Sequence, residues 1–431
     1  MDVFAYASVC ITYIFSAMFT AVEAERLIFT LIDPLEQAET LSLSDANCLG
    51  RVLAAPVTSQ LDFPHWDNSA MDGYAVRASD VEIVPTTLTV IEEIPAGKRP
   101  QQPVQSGQAA RILTGAMMPA GADTVVMQEE TSREGEQVTI LQAPQPQSFV
   151  RHQGSFYRAG AELLGPGQLL APPEIALLAA AQQTEVTVYR RPRVAILSTG
   201  SELVRADQPL GLGQIVDSNQ YALAALVTQV GAEALPLGIV QDDRAVVKSA
   251  IAQALSQADM VISTGGVSVG DYDYIDAVLE ELGATLHIRA VAVKPGKPLT
   301  VAEFGRSDSS APDGRRQVYF GLPGNPASAM VGFWRFVGPA IAKLSGAQGP
   351  WAPSFVWAEA VSELSAGGKR ETYLWGQLSA NAAGGYTFGR AAGSHSSGNL
   401  VNLANTSGLG IVPQGETVIK VGQQVRVLKT R

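Results

Sequence analysis

Hydrophobic positions change period several times along the chain, and each change marks a different kind of element. Val3 to Thr20 is a continuous apolar, uncharged run. Ala21, Ala24, Ile28, Leu31 and Ile32 then fall at helical spacing, which predicts an amphipathic helix stopped by Asp33-Pro34. A second short helix is predicted over Ser44 to Val52, with Ser44 as its cap. From Pro56 to about Ser155, Pro and Gly punctuate short β-branched runs: Thr86 to Ile91, Ala109 to Leu113, Thr124 to Gln128 and Gln137 to Leu141. That pattern predicts a small β-rich domain. Ala171 to Ala181 is rich in Ala and Leu and carries Pro172-Pro173 at its start, which predicts a helix. Being similar in type to the first helix, it is expected to pack with it, the β-rich domain being inserted between the two.

From Arg193 onward strands and helices alternate. Strands are predicted at Val194 to Leu197, Ala234 to Val240, Met260 to Ser263 and Val318 to Gly321. Between and after them come helices at Gln220 to Val230, Arg244 to about Ala258, Tyr274 to Leu282, and Pro326 to about Leu344 with Asn325 as cap. This alternation predicts an α/β domain with a doubly wound, mostly parallel sheet. Ser307 to Arg316 reads as a polar, mobile hairpin. Beyond Gly349 the period returns to that of strands: Phe355 to Val361, Glu371 to Leu378, Tyr386 to Gly389, Gly408 to Val412 and Gln424 to Leu428. Regular spacing and Gly turns predict a terminal barrel or sandwich. The chain is accordingly divided into an apolar extension (1–20), a helical linker domain (21–52 and 157–190), a β-rich insertion (53–156), an α/β domain (191–347) and a terminal β-barrel domain (348–431).

The sheet localises the chemistry. Ligands of doubly wound sheets bind beyond the carboxyl ends of the strands. The central stretch is Val261-Ile262-Ser263-Thr264-Gly265-Gly266-Val267-Ser268-Val269-Gly270-Asp271-Tyr272-Asp273. A strand that breaks into a Gly turn before a helix points backbone N–H groups at an anion, usually phosphate. Acids beside a phosphate call for a cation between them. Glu202, Asp242 and Asp273 all lie just past strand ends and are expected to converge, whereas Asp271 reads as a helix cap. Lys294 and Lys297 flank a Pro-Gly turn on the same edge, and the Asn325-Pro326 helix start adds N–H groups there. Each feature also has a plainer reading: Gly-Gly turns arise for backbone reasons alone, and Lys in turns is usually solvated. Two readings stand for His65-Trp66-Asp67-Asn68-Ser69-Ala70-Met71-Asp72-Gly73-Tyr74, a cation or polar-ligand site and an ordinary Asx-turn cluster. Thr114 places a hydroxyl at another strand break. Ser394, Ser396 and Ser397 read as loop residues.

Composition narrows the partners. The 41 acids against 30 bases exclude general nucleic-acid binding, so an anionic ligand must be met by locally clustered cations. Cys10 and Cys48 cannot form a disulfide framework or a Cys-rich zinc site, and the scattered His65, His152, His287 and His395 form no ligand pair. The run at Val3 lacks preceding basic residues and is short for a membrane span. It reads best as an extension ahead of Met18, the other readings being an apolar tail packed on a partner and a membrane tether.

Several motifs occur in one family order: Asp67-Asn68-Ser69-Ala70-Met71-Asp72-Gly73-Tyr74-Ala75, Thr114-Gly115-Ala116, Ser198-Thr199-Gly200-Ser201-Glu202-Leu203, Asp217-Ser218-Asn219, Thr264-Gly265-Gly266-Val267-Ser268-Val269-Gly270, Lys294-Pro295-Gly296-Lys297-Pro298 and Leu322-Pro323-Gly324-Asn325-Pro326. From Ala21 to Arg431 the chain resembles the molybdopterin molybdenumtransferases, the MoeA and gephyrin E-domain family. The resemblance implies an elongated cytoplasmic homodimer of four-domain chains, with a MogA-like α/β domain and a terminal barrel. It implies insertion of molybdenum from molybdate into adenylylated molybdopterin, with Mg²⁺ required and AMP released. Asp72, Thr114, Glu202, Asp242 and Asp273 match the family's catalytic cleft, the last three as metal-binding acids. Ser198, Thr199, Gly200, Gly265, Gly266, Ser268, Lys294, Lys297, Pro323 and Pro326 match its ligand-binding turns. The family cleft is shared between subunits, which implies that Asp72 of one chain faces Glu202 of the other. A transient contact with a molybdopterin adenylyltransferase is implied as well.

One stretch departs from the family pattern. Where an Arg-rich turn is often followed by Gly-Glu-Asp, this chain has Arg151-His152-Gln153-Gly154-Ser155-Phe156. Phe cannot bind a cation or take a proton. Two other functions are therefore set beside the transferase: a molybdopterin-binding scaffold or carrier with weak insertase activity, and the adenylyltransferase activity of the same fold.

Overall fold

The computed structural model describes residues 18–266, 275–305 and 315–430. Residues 3–17 of the apolar run, Ser268, Asp271, Asp273 and residues 307–314 of the polar excursion lie outside the described residues.

The first helix, α1 (Ala21–Leu31), opens with a capping box in which Thr20 Oγ1 accepts from Glu23 N (3.2 Å) and Glu23 Oε2 accepts from Thr20 N (2.9 Å). Its buried face, Ala21, Ala24, Ile28 and Leu31, packs into the same core as Val194, Ile196 and Phe320. Burying side chains such as Ile28 and Leu31 stabilises by about 1.5–3 kcal/mol each. The expected helix from Ser44 is a single 3₁₀ turn, Ala46–Cys48, capped by Asp45 rather than Ser44. Gly50 has φ +74°, and Val52 and Leu53 then enter extended bridges with Leu169 and Val188, which leaves no chain for an α-helix.

The β-rich domain is a six-stranded sheet of β1 (Gly73–Val76), β2 (Thr86–Ile94), β3 (Gln108–Ile112), β4 (Thr124–Met127), β5 (Thr131–Glu134) and β6 (Gln137–Ile140), ordered β4-β1-β3-β2-β6-β5. It hangs on a two-stranded neck. Val57–Thr58 pairs with Glu162–Leu164, Phe63 bridges Tyr157, and Asn68–Ser69 pairs with Val150–Arg151. Beyond the neck lies α2 (Pro172–Ala180). Its Leu178 joins Cys48, Leu53, Leu164, Leu170, Val186 and Val188 in a separate cluster. The two helices expected to pair therefore pack in different places. The Ala38–Ser42 strand, paired antiparallel with Glu185–Tyr189, ties the second cluster to the segment after α1.

The central domain runs β7 (Arg193–Thr199), α3 (Ser218–Gln229), β8 (Glu233–Val240), α4 (Arg244–Gln257), β9 (Met260–Thr264), α5 (Ile275–Glu281), β10 (Ala284–Ala290), β11 (Pro298–Phe304), β12 (Gln317–Leu322), α6 (Pro326–Gly332) and α7 (Gly338–Leu344). The sheet order is β8-β7-β9-β12-β11-β10. β8, β7, β9 and β12 are parallel, and β11 and β10 add an antiparallel edge that the alternation of strands and helices did not predict. Asp217 caps α3 through Gln220 N (3.2 Å), and Asp243 caps α4 through Ala245 N (2.9 Å) and Val246 N (3.0 Å). The expected single helix to Leu344 is interrupted by a π turn at Phe333–Val337. Pro339 follows it and has no N–H for the Arg335 carbonyl four residues back.

The terminal strands β13 (Phe355–Ala360), β14 (Glu371–Ala380), β15 (Tyr386–Arg390), β16 (Gly408–Val412) and β17 (Gln424–Lys429) follow the order β14-β15-β13-β17-β16. β16 pairs back onto β14, so the barrel closes on itself and leaves no free edge there. A short strand of the central domain, Val293–Lys294, adds parallel to β14.

Candidate active site

A groove of about 1080 Å³ lies between the carboxyl edge of the central sheet and the barrel. Its floor is made by the strand ends Thr199-Gly200 and Thr264-Gly265-Gly266 and by the turn from Pro323 to Pro326. Gly265 has φ +89°, and a Cβ there would collide with the Thr199 carbonyl oxygen. Close packing of neighbouring strand ends thus requires this glycine whatever ligand the turn serves. Thr199 faces the groove, whereas Ser198, expected among the ligand contacts, is fully buried and accepts from Thr264 Oγ1 at 3.4 Å. Alternation along β7 turns successive side chains to opposite faces.

Two of the three expected acids meet here. Glu202 and Asp242 both line the groove and both approach the turn after β7. Asp242 Oδ2 accepts from Ser201 N at 3.2 Å. A Cβ on Gly200 would stand 2.8 Å from Glu202 Oε2, so the bare glycine lets that carboxylate fold over the turn. Among the described residues no group of three or more acid, His or Cys side chains is arranged as a metal cage. The pair nonetheless fits Mg²⁺, which takes one or two carboxylates and completes its shell with phosphate oxygens and water.

The opposite wall is cationic. Lys294 and Lys297 line the groove as expected, joined by Arg370 and Arg390 from the barrel. Arg370 Nη1 donates to the Val293 carbonyl (3.1 Å), and Lys294 pairs in register with Thr372, so strand addition to β14 fixes both cations together. Asp217, Asn219, His395, Ser396 and Ser397 also line the groove, although the local pattern marked none of them as site residues. For Asp217 and Asn219 the motif Asp217-Ser218-Asn219 was the available signal. Nothing local marked the barrel residues, because only the packing of barrel on sheet brings them here.

The start of α6 differs from expectation. The Asn325 side chain makes no cap bond, and the Ala327 N–H donates instead to the Ser397 carbonyl of the barrel (3.0 Å). Pro323 and Pro326 line the groove beside it. His395 is stacked on Trp375 with ring centroids 4.3 Å apart, and its Nε2 donates to the Ala391 carbonyl (2.9 Å). Burial holds its pKa below the usual imidazole value, which favours the neutral ring.

Asp72 and Thr114 do not reach this groove within the chain. They form their own site on the β-rich domain, where Asp72 Oδ1 accepts from both Thr114 N and Thr114 Oγ1 at 2.7 Å. The Thr114 hydroxyl and then its amide hold the exposed Asp72 carboxyl below the usual carboxylate range. Exposed Trp66, Met71, Leu113 and Met117 lie along the same part of the chain fold. In the departing turn, Phe156 is exposed beside Phe63, with ring centroids 6.0 Å apart. Asp67 and Asp62 flank this turn: Asp67 accepts from Gln153 N (2.7 Å) and contacts His152 Nδ1 (3.1 Å), and Asp62 accepts from Gln153 Nε2 (3.0 Å). Burial raises the Asp67 pKa, but the bonds from Gln153 and His152 outweigh it and leave the net shift downward. The Asp67-Asn68-Ser69 stretch is thus engaged in turn and neck hydrogen bonds.

Three family models match the chain. Residues 19–181 match the MoeA N-terminal region (domain I and II), residues 195–343 a probable molybdopterin binding domain, and residues 358–430 the MoeA C-terminal region (domain IV). A molybdopterin molybdenumtransferase of Nostoc sp. is 54% identical over 414 residues, covering 94% of this chain and 93% of that protein. One of Haemophilus influenzae is 41% identical over 311 residues, covering 72% and 74%. The crystal structure of a molybdopterin biosynthesis MoeA protein from Pyrococcus horikoshii is similar with a TM-score of 0.79 at 28% identity, covering 96% of this chain and 100% of that one.

Proposed function

The chain belongs to the molybdopterin molybdenumtransferase family, enzymes of molybdenum cofactor biosynthesis, and from that premise we propose how its groove works. The substrate is adenylylated molybdopterin, molybdate supplies the metal, and AMP leaves. The observation that carries this reading is the polarity of the groove. Glu202 and Asp242 stand on one wall, and Lys294, Lys297, Arg370 and Arg390 on the other. The cations and the Ser396 and Ser397 hydroxyls offer donors to phosphate and molybdate oxygens. Mg²⁺ held by Glu202 and Asp242 would supply neutralisation of charge on the departing phosphate. Through the cation they would hold, the acids would anchor one end of the phosphoanhydride, and the Lys and Arg side chains hold the incoming oxyanion at the other.

The isolated Asp72–Thr114 site supports a homodimer in which the β-rich domain of one chain completes the groove of its partner. The exposed apolar side chains around Asp72 support burial against a second chain. A transient complex with a molybdopterin adenylyltransferase would deliver the adenylylated substrate, and we place the reaction in the cytoplasm. No helix among the described residues is long and apolar enough to cross a membrane. No observation favours the scaffold or the adenylyltransferase reading, and the relatives above are named as molybdenumtransferases.

The direct test is AMP release from adenylyl-molybdopterin by the pure protein with Mg²⁺, with and without molybdate. Release that rises with molybdate is expected. Binding of the ligand with no molybdate-dependent release would sink the proposal.

A further inference from the structure

The serine-bearing segment of the barrel reaches the groove through a chain of specific contacts that converge on one amide. Trp375, on β14, is fully buried and serves as a fixed reference. Its Nε1 donates to Asn402 Oδ1 at 3.0 Å. The other end of the same amide donates twice, from Nδ2 to the Ala392 carbonyl (3.1 Å) and to the Ser394 carbonyl (2.8 Å). Asn399 Nδ2 donates to the Ser394 carbonyl as well (2.9 Å). His395 lies on the Trp375 indole, so side chain and backbone of the segment are referred to the same buried ring. Downstream, the Ser397 carbonyl accepts from Ala327 N at the start of α6 (3.0 Å). Pro326 has no N–H, so Ala327 carries the first donor of that helix after the cap. The segment from Ala391 to Asn402 is therefore a strap, anchored in the barrel at one end and resting on the central domain at the other.

We propose that Asn402 is a positioning residue for the transfer reaction, which fixes Ser396 and Ser397 against the cationic wall. Asn402 itself does not line the groove, so it acts through the strap. One amide sets the height of the strap because it meets an acceptor need and two donor needs at once. Its donors hold the carbonyls that precede the serines. Its acceptor holds the indole on which His395 lies. The strap is a loop with few backbone pairings of its own, so without Asn402 the carbonyl of Ser397 would no longer be presented to Ala327 at a fixed distance. The inference rests on the reading of the groove as an oxyanion site, but its first half, that Asn402 holds the strap on α6, does not.

The test uses the full chain with Asn402→Asp, which keeps an acceptor for Trp375 but turns an anion toward two carbonyls. Asn402→Ala is a second variant in case the charge disturbs folding. Two readouts are taken: hydrogen–deuterium exchange of the peptide containing Ala327, and the dependence of AMP release on molybdate. Exchange at Ala327 is expected to quicken about tenfold, and the KM for molybdate to rise about tenfold with kcat within about twofold. Unchanged exchange would show that Asn402 does not hold the strap and would overturn the inference. Faster exchange with unchanged KM would overturn its second half, because the strap would then be irrelevant to binding. A fall in kcat alone would overturn it equally. If the wild-type protein showed no molybdate dependence, the functional reading would fail separately, and exchange at Ala327 would still decide whether Asn402 positions the strap.

Discussion

On the sheet side of the groove, Glu202 and Asp242 sit on turns set by adjacent parallel strands, β7 and β8, and their separation is set by strand spacing. On the barrel side, Arg370, Arg390 and Ser397 come from strands and a strap more than a hundred residues later, and only domain packing sets their reach. The first wall is held by backbone pairing: β7 lies between β8 and β9, paired with both in parallel, and is buried from Val194 to Thr199. The second depends on a few directional contacts: Arg370 to the Val293 carbonyl, Ser397 to Ala327, and Asn402 to the strap. A wall built from strand ends suits charges whose spacing must not vary. A wall built from a docked domain can take up an incoming oxyanion and then release what remains.

This contrast is most easily broken at the acids. Glu202→Gln or Asp242→Asn is expected to lower AMP release by about a hundredfold or more, mainly in kcat, as a carboxylate that would hold the cation beside the phosphoanhydride is lost. Titrating Mg²⁺ into the variants checks this, since the requirement should shift to higher concentration. Loss of less than about tenfold would remove these carboxylates from the chemistry. A next test concerns the separate Asp72 site. Mixing Asp72→Asn chains with Glu202→Gln chains, each inactive alone, is expected to restore about a quarter of wild-type activity. Half the dimers would then be mixed, each with one intact groove. No restoration after verified subunit exchange would place both residues in the same chain's site.

Smaller effects are expected on the barrel wall. Arg370→Ala should raise the KM for molybdate about tenfold and leave kcat within a few-fold, a difference that shrinks at high salt. An equal loss in kcat would erase the distinction between the two walls. The smallest effect is expected at the departing turn. Phe156→Asp should alter AMP release by less than about twofold and cost about 1 kcal/mol or less in thermal stability, because it exchanges an exposed ring contact with Phe63 for an acid in a turn already flanked by Asp62 and Asp67. A large gain in activity would show that this position limits the enzyme.

What could be read from the chain follows the range of the forces involved. Strand-to-helix alternation and the glycine at position 265 are local consequences of φ and period, and both appear where the pattern put them. The 3₁₀ turn at Ala46–Cys48 escaped because a local cap signal was overruled by long-range pairing of Leu53 with Val188. β10 and β11 were not predicted at all, because the expected sheet rested on strands alternating with helices and these two follow one another with no helix between. Arg370, Arg390 and His395 were invisible as site residues: their sequence surroundings are those of any strand end or polar loop. Placing Glu202, Asp242, Lys294 and Lys297 on one edge needed only the sheet rule, whereas Ser198 fell on the wrong face because a turn motif does not report alternation.

The Val293–Lys294 strand has one more consequence, for how the molecule comes apart. Its backbone bonds go to β14 of the barrel and not to the sheet of its own domain. An excised central domain would carry a strand with no partner, and an excised barrel would leave Glu371 and Thr372 at the start of β14 without theirs. Sheet and barrel are thereby bound into one cooperative unit of unfolding, and protection from amide exchange should be lost from both sides of the groove together.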